Sequence, residues 1–212
     1  LGCIDASGAD GMAFVFQPIS ASLGVGGGGL GYQGIIPSLD IEFDTYENSQ
    51  YKDPAYDHVA IMKNGVVSHF FVENLAGPVG ILPLNRNAED CNFHKVLIRW
   101  NANTKTIEVY VDCIFRLRYT GDIVNTIFNG DPYVYFGFTA ATGVSVNVQQ
   151  ICYNYATTVN KLDDYTICKG EAIQIIAAKK FDKYKWLPSK GINHTDINNP
   201  IFKPDTTTTY FL

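Results

Sequence analysis

Apolar and polar residues alternate along this chain in short runs, and clusters of Gly, Asn, Asp and Pro separate the runs. Residues 38–46 (SLDIEFDTY) alternate without a break, which predicts a strand with two unlike faces. Residues 93–100 (FHKVLIRW) and 106–113 (TIEVYVDC) are two further alternating runs, and the polar stretch 101–105 (NANTK) between them predicts a β-hairpin. Residues 10–17 (DGMAFVFQ), 58–62, 65–72, 133–139 and 146–155 read as further strands, while 122–128 (DIVNTIF) reads as a short helix or a loop packed on a sheet. No stretch keeps a 3.6-residue period over three turns. The pattern therefore predicts an all-β fold, an antiparallel β-sandwich or jelly roll.

The pattern changes after about residue 158. One more strand pair is expected over 164–177 (DYTICKGEAIQIIA), ahead of Trp186 and a tail with four consecutive Thr. The expected division is a main domain over 1–157 and a short β-rich segment over 158–212. The chain opens on Leu1-Gly2-Cys3 with no basic and apolar leader, so it is expected to begin inside a domain, without that domain's first strands.

Composition narrows the function classes. Hydrophobic residues make up 46% and charged residues 17%, enough apolar material for a packed core. Net charge is −5 with no Lys/Arg cluster, which removes nucleic acid as a partner. No apolar run approaches the ~20 residues of a membrane span. There are five Cys. Cys91 and Cys113 flank the predicted hairpin, and a disulfide between them is expected, which implies an oxidising compartment and a secreted or cell-surface protein.

The chemistry gathers in residues 40–58, DIEFDTYENSQYKDPAYDH. Along a strand Asp40, Glu42 and Asp44 point to one face, so three carboxylates either meet a cation or stand in open water. Tyr46, Asn48, Asp53 and His58 then add a carbonyl or phenol, an amide, a carboxylate and an imidazole within one loop. Oxygen donors suit Ca²⁺, and a carboxylate–imidazole mixture suits Mn²⁺ or a similar transition metal. A rival reading takes Asp40, Glu42 and Asp44 as the acids of a jelly-roll glycoside hydrolase.

Glu42, Asp44, Tyr46, Asn48, Asp53 and His58 resemble the metal loop of legume-type (L-type) lectins, E-x-D-x-aromatic-x-N followed by an Asp and a His. Residues 9–14 (ADGMAF), 27–31 (GGGLG) and 137–143 (GFTAATG) are similar to three more loops of that family, in the family's order. The resemblance covers roughly residues 5–156 and implies a concanavalin-like sandwich that is not an enzyme. It implies that Glu42, Asp44, Asp53 and His58 hold the transition metal, with Ser68 touching a metal-bound water. Asp44, Asp53, Asn48 and the Tyr46 carbonyl are implied as the Ca²⁺ ligands. Asp10, a Gly28 N–H, Asn48 and the Tyr46 ring would meet a glycan, with Val144 and Ser145 in the loop that varies with specificity. It also implies a cis peptide bond before Asp10. The tail resembles the Ig-like repeats of adhesins from gliding bacteria. His69 and His94 are expected to be ordinary strand residues, and Trp100 and Trp186 to pack in cores. The sequence leaves the sugar and the oligomeric state open.

Overall fold

A computed structural model of the chain describes residues 1–3, 8–20, 23–153, 165–177 and 183–212. Two compact units emerge, Leu1–Ile151 and Cys152–Leu212. The expected boundary near 158 lies outside the described residues.

The first unit carries, in chain order, β1 (Gly11–Gln17), β2 (Leu39–Asp44), β3 (His58–Lys63), β4 (Asn74–Gly80), β5 (Val96–Asn101), β6 (Thr106–Val111), β7 (Ile114–Thr120), the one-turn helix α1 (Ile123–Thr126) and β8 (Tyr135–Ala141). Two antiparallel sheets form, one of five strands in the order β4-β3-β2-β1-β8 and one of three in the order β5-β6-β7. The all-β sandwich expected from the alternation is the fold observed.

β2 is the central strand of the larger sheet, and all six of its residues are buried. Its odd positions, Leu39, Ile41 and Phe43, join Met12, Val59 and Ile61 from neighbouring strands. These pack against Ile107, Val109, Val111 and Leu117 of the smaller sheet. This is the sandwich interior. The even positions of β2 face the other side, with Ala13, Val15, Ala60 and Met62. There the segment carrying Leu30, Tyr32 and Ile35 folds over the sheet as a lid. A solvated strand face is therefore not what Asp40, Glu42 and Asp44 occupy; they are 0%, 1% and 4% exposed.

Several expectations need correction. Residues 65–72 form no strand; Phe70, Phe71 and Val72 are exposed, and the chain re-enters the sheet only at β4. β4 went unrecognised because NLAGPVG reads as a turn. Pro78 is tolerated because β4 is an edge strand among the described residues, where a missing N–H costs no ladder bond. β7 was hidden by a two-residue hairpin loop, Asp112-Cys113. Both residues have positive φ (50° and 65°), the geometry of a type I′ turn, without the glycine that usually signals it. Residues 146–153 form no strand, since no described strand pairs with them. The disulfide is Cys3–Cys91, and Cys113 is free and exposed. Cys113 sits in the β6–β7 turn, whereas Cys91 lies in a loop whose N–H donates to the Gly2 carbonyl (3.1 Å), which brings it to Cys3.

The second unit has a small core of Ala177, Trp186 and Phe202, with the Trp186 indole donating to the Ile197 carbonyl at 2.8 Å. Of the strand pair expected over 164–177, β9 (Ile173–Gln174) is the only strand among the described residues, and it pairs with β10 (Ile201–Phe202). Trp100, in the first unit, packs partly buried against the sandwich core, as expected.

Candidate functional site

The β2–β3 connection brings the predicted ligands together. Asp44 and His58 are register partners across the two strands, so the loop between them begins and ends at ligand residues. The loop is shaped by its own carboxylates. Asp44 Oδ1 accepts from the Tyr46 N–H (2.7 Å), and Asp53 Oδ2 accepts from the Asn48 N–H (2.8 Å) just before a 3-10 turn at Ser49–Tyr51. Donor atoms of Asp44, Asp53 and His58 lie within 4.8 Å of one another, an arrangement able to hold a metal ion.

A second such group consists of Glu42, His58 and His69. His69 Nε2 lies 2.9 Å from His58 Nε2, 3.2 Å from Glu42 Oε1 and 3.5 Å from Asp53 Oδ1. His69 is thus not an ordinary strand residue. It lies in the turn after β3, held by its N–H donating to the Tyr51 carbonyl at 2.9 Å. Tyr32, fully buried in the lid, donates its hydroxyl to Glu42 Oε2 and leaves Oε1 facing the imidazoles. Ser68 donates to the Tyr51 carbonyl (3.4 Å). Asp40 belongs to neither group. It accepts from the Ser38 hydroxyl (2.7 Å) and more weakly from the Gly65 N–H (3.3 Å), tying β2 to the turn after β3.

The electrostatics of the cluster are unfavourable as the protein atoms stand. Burial pushes Glu42 up to about 8, with Asp53 and Asp40 adding repulsion against its bond from Tyr32. Asp44 is raised well above the usual carboxylate range, first by burial and then by the Glu42 charge. Burial likewise lifts Asp53 to about 6 and Asp40 to about 8. The imidazoles move the other way. Burial and the neighbouring ring lower His58 to about 3, and burial lowers His69 to about 4. Each unpaired buried carboxylate costs several kcal/mol, comparable with the ~1.5–3 kcal/mol gained from each buried aliphatic on the other face of β2. A cation reverses that balance. Glu42 Oε1 and Asn48 Oδ1 are buried without a hydrogen-bond partner, as open ligand atoms would be. The carboxylates, the amide and neutral imidazoles make a donor set that fits metal ions.

The residues expected to meet sugar lie beside this cluster. The Ala9–Asp10 bond is cis, as the resemblance implied. Asp10 is 5% exposed; its N–H donates to the Ala141 carbonyl (3.1 Å) and its carbonyl accepts from the Thr45 N–H (3.0 Å). Its Oδ2 is buried and unpaired. Gly11, next in the chain, has φ of 149°, and a Cβ there would stand 2.3 Å from the Phe43 carbonyl oxygen, so only glycine lets β1 approach β2 this closely. Gly28 comes up against Asn48; a Cβ on it would be 3.1 Å from Asn48 Oδ1. Thr139 of β8 donates to the Leu30 carbonyl (2.8 Å) and pins this glycine loop to the sheet. Tyr46 is 42% exposed, Val144 is fully exposed, and the Ser145 carbonyl accepts from the Gly143 N–H (3.1 Å).

Sequence reasoning missed Tyr32 and His69. Tyr32 directly follows the glycine-rich motif, but nothing local marks its hydroxyl as buried. His69 lies beyond the end of β3, and only the return of the chain over the loop brings it to Glu42. His94, by contrast, bridges Asp112 (2.7 Å) and Asp90 (3.1 Å) in the other sheet's loops and takes no part here.

The family model described as the legume lectin beta-barrel domain matches residues 1–155. The seed lectin beta chain of Spatholobus parviflorus is 29% identical over 147 residues, 65% of this chain and 56% of that protein. A galactose-binding lectin of Arachis hypogaea is 35% identical over 109 residues, 49% of this chain and 36% of that protein. The chain thus spans at most just over half of the curated relatives it matches here. Among solved structures, the Bauhinia forficata lectin in complex with GalNAc aligns with a TM-score of 0.50 at 26% identity, covering 65% of this chain and 60% of that one. Peanut lectin with a nine-residue peptide aligns at 0.51 and 27%, covering 69% and 61%.

Proposed function

The chain belongs to the legume lectin family, and from that membership we propose that its first unit is a metal-dependent carbohydrate-binding module, not an enzyme. The observation that carries the reading is the buried carboxylate–imidazole cluster at the β2–β3 end, with Asp10 and Asn48 beside it holding unpaired buried oxygens. In this reading Glu42, Asp44, Asp53 and His58 hold a transition metal such as Mn²⁺, and Asp44, Asp53, Asn48 and the Tyr46 carbonyl hold Ca²⁺. The cations neutralise the carboxylates and fix the loop when bound. Asp10 accepts from sugar hydroxyls, Asn48 and the Gly28 N–H donate, and Tyr46 offers its ring to the apolar face of a pyranose. Val144 and Ser145 stand where a loop would sort one sugar from another.

Galactose and N-acetylgalactosamine are the first ligands to test, because the Arachis lectin is named for the one and the Bauhinia lectin was solved with the other. A few directional hydrogen bonds on an open surface give weak binding to one monosaccharide, about 0.1–10 mM. Retention on a sugar column should disappear in EDTA and return with Ca²⁺ plus a transition metal; retention indifferent to EDTA would refute the metal dependence. We also propose a secreted or cell-surface location, which the Cys3–Cys91 disulfide supports. No helix among the described residues is long and apolar enough to cross a membrane. We also propose, from the resemblance of its sequence alone, that the second unit is a partial Ig-like repeat of a bacterial adhesin.

A further inference from the structure

His69 is the one member of the cluster that neither the metal-loop motif nor the proposed ligand sets account for. Its side chain is only 3% exposed, and its Nε2 points into the same space as His58 Nε2, Glu42 Oε1 and Asp53 Oδ1. Two imidazole nitrogens 2.9 Å apart either share a proton or share a cation, since two bare lone pairs repel. Glu42 Oε1, 3.2 Å from His69 Nε2, is 1% exposed and receives no hydrogen bond of acceptable geometry. A proton held between the two imidazoles would leave that oxygen unsatisfied, whereas a cation among the three atoms would satisfy all of them.

The separations match a coordination shell. Ligand atoms about 2.1 Å from a metal stand about 3.0 Å apart at adjacent octahedral corners and about 3.4 Å apart in a tetrahedron. The distances from His69 Nε2 to its three neighbours are 2.9, 3.2 and 3.5 Å. The ring is brought there by rigid parts. The His69 backbone N–H donates to the Tyr51 carbonyl and the His69 backbone carbonyl accepts from Asn74 Nδ2 (3.4 Å), while the Tyr32 hydroxyl turns Glu42 Oε1 toward the ring.

We propose that His69 is a direct second imidazole ligand of the transition metal, which makes this site richer in nitrogen than the loop of residues 42–58 supplies by itself. The proposal rests on the metal-site reading above and deepens it. Nitrogen donors favour the later first-row ions, so the site should select Zn²⁺, Co²⁺ or Ni²⁺ over Mn²⁺ more strongly than a single-imidazole site. Ca²⁺, an oxygen-seeking ion, should be indifferent to His69.

The full chain, stripped with EDTA and reloaded with Ca²⁺ and one equivalent of Cu²⁺ as probe, should show two coupled imidazoles by pulsed EPR, and His69→Ala should show one. Titration of the stripped protein should find Zn²⁺ affinity reduced by more than ~100-fold in His69→Ala, beyond the 10–100-fold typical of residues that only support a ligand. Mn²⁺ affinity should fall less, and Ca²⁺ affinity should stay within about twofold. One imidazole in the unmutated protein would overturn the role of His69 and leave His58 and the metal reading standing. No coupled imidazole and no measurable Zn²⁺ or Mn²⁺ uptake would sink both. The unmutated spectrum decides the matter even where the variant fails to fold.

Discussion

Replacing Glu42 by Gln should move stability in opposite directions with and without metal. In the metal-free fold the Glu42 carboxyl titrates at about 8 instead of near 4.5, chiefly because it is buried. A carboxyl raised in this way contributes its full stability below its unfolded pKa and loses it as pH climbs toward the folded one. Between about pH 4.5 and pH 8 the native state must hold a proton that the unfolded chain releases. At pH 7 the gap is ~2.5 pH units, and at 1.36 kcal/mol per unit the mismatch costs about 3 kcal/mol. Gln carries no charge, keeps the shape, and retains an oxygen for the Tyr32 hydroxyl. The metal-free variant should therefore match the parent near pH 4.5 and exceed it by that amount at pH 7, roughly 6–12 °C in melting temperature for a domain of this size. His58 and His69, lowered by burial to about 3 and about 4, are present in parent and variant alike, so their contribution cancels in the comparison. With Ca²⁺ and a transition metal present the sign reverses, because an amide oxygen is a poor substitute for a carboxylate ligand. Calorimetry at pH 5, 6, 7 and 8, in EDTA and in metal, measures all of this. A variant less stable than the parent in EDTA at pH 7, or a difference that does not change with pH, would show that Glu42 is not an uncompensated buried acid.

Asp10→Asn should abolish sugar retention while leaving metal stoichiometry unchanged, since Asp10 lies beside the cluster and not in it; loss of metal by elemental analysis would contradict that assignment. Cys113 should alkylate in the folded, unreduced protein, whereas Cys3 and Cys91 should react only after reduction, as mass spectrometry of the digested chain can establish.

The alternation of 38–46 was enough to locate β2, and the order E-x-D-x-Y-x-N, Asp, His was enough to locate the loop whose donor atoms the structure gathers. Both signals are local, one the period of a strand and the other donors packed into one hairpin end. What the sequence hid depends on distant chain returning. Tyr32 reaches Glu42 from the lid, and His69 returns past the end of β3. β4 and β7 were masked by local chemistry, a Gly-Pro inside an edge strand and a hairpin turn built without glycine. The Cys91–Cys113 pairing failed because flanking a hairpin does not make two residues register partners; Val111 pairs with both Val96 and Ile114, and Cys113 is spent in the turn.

The central strand with two buried faces is also a constraint on which genetic changes this chain survives. Along β2 parity carries meaning: odd positions fill the sandwich interior and even positions carry the buried carboxylates. A point substitution damages one track and leaves the other readable. A single-residue insertion or deletion inside 39–44 exchanges the tracks beyond it, driving carboxylates between the two sheets and aliphatics into the carboxylate–imidazole cluster. Such a lesion has no partial form. In a library of variants, β2 should accept conservative replacements such as Ile41→Val and a change of length nowhere.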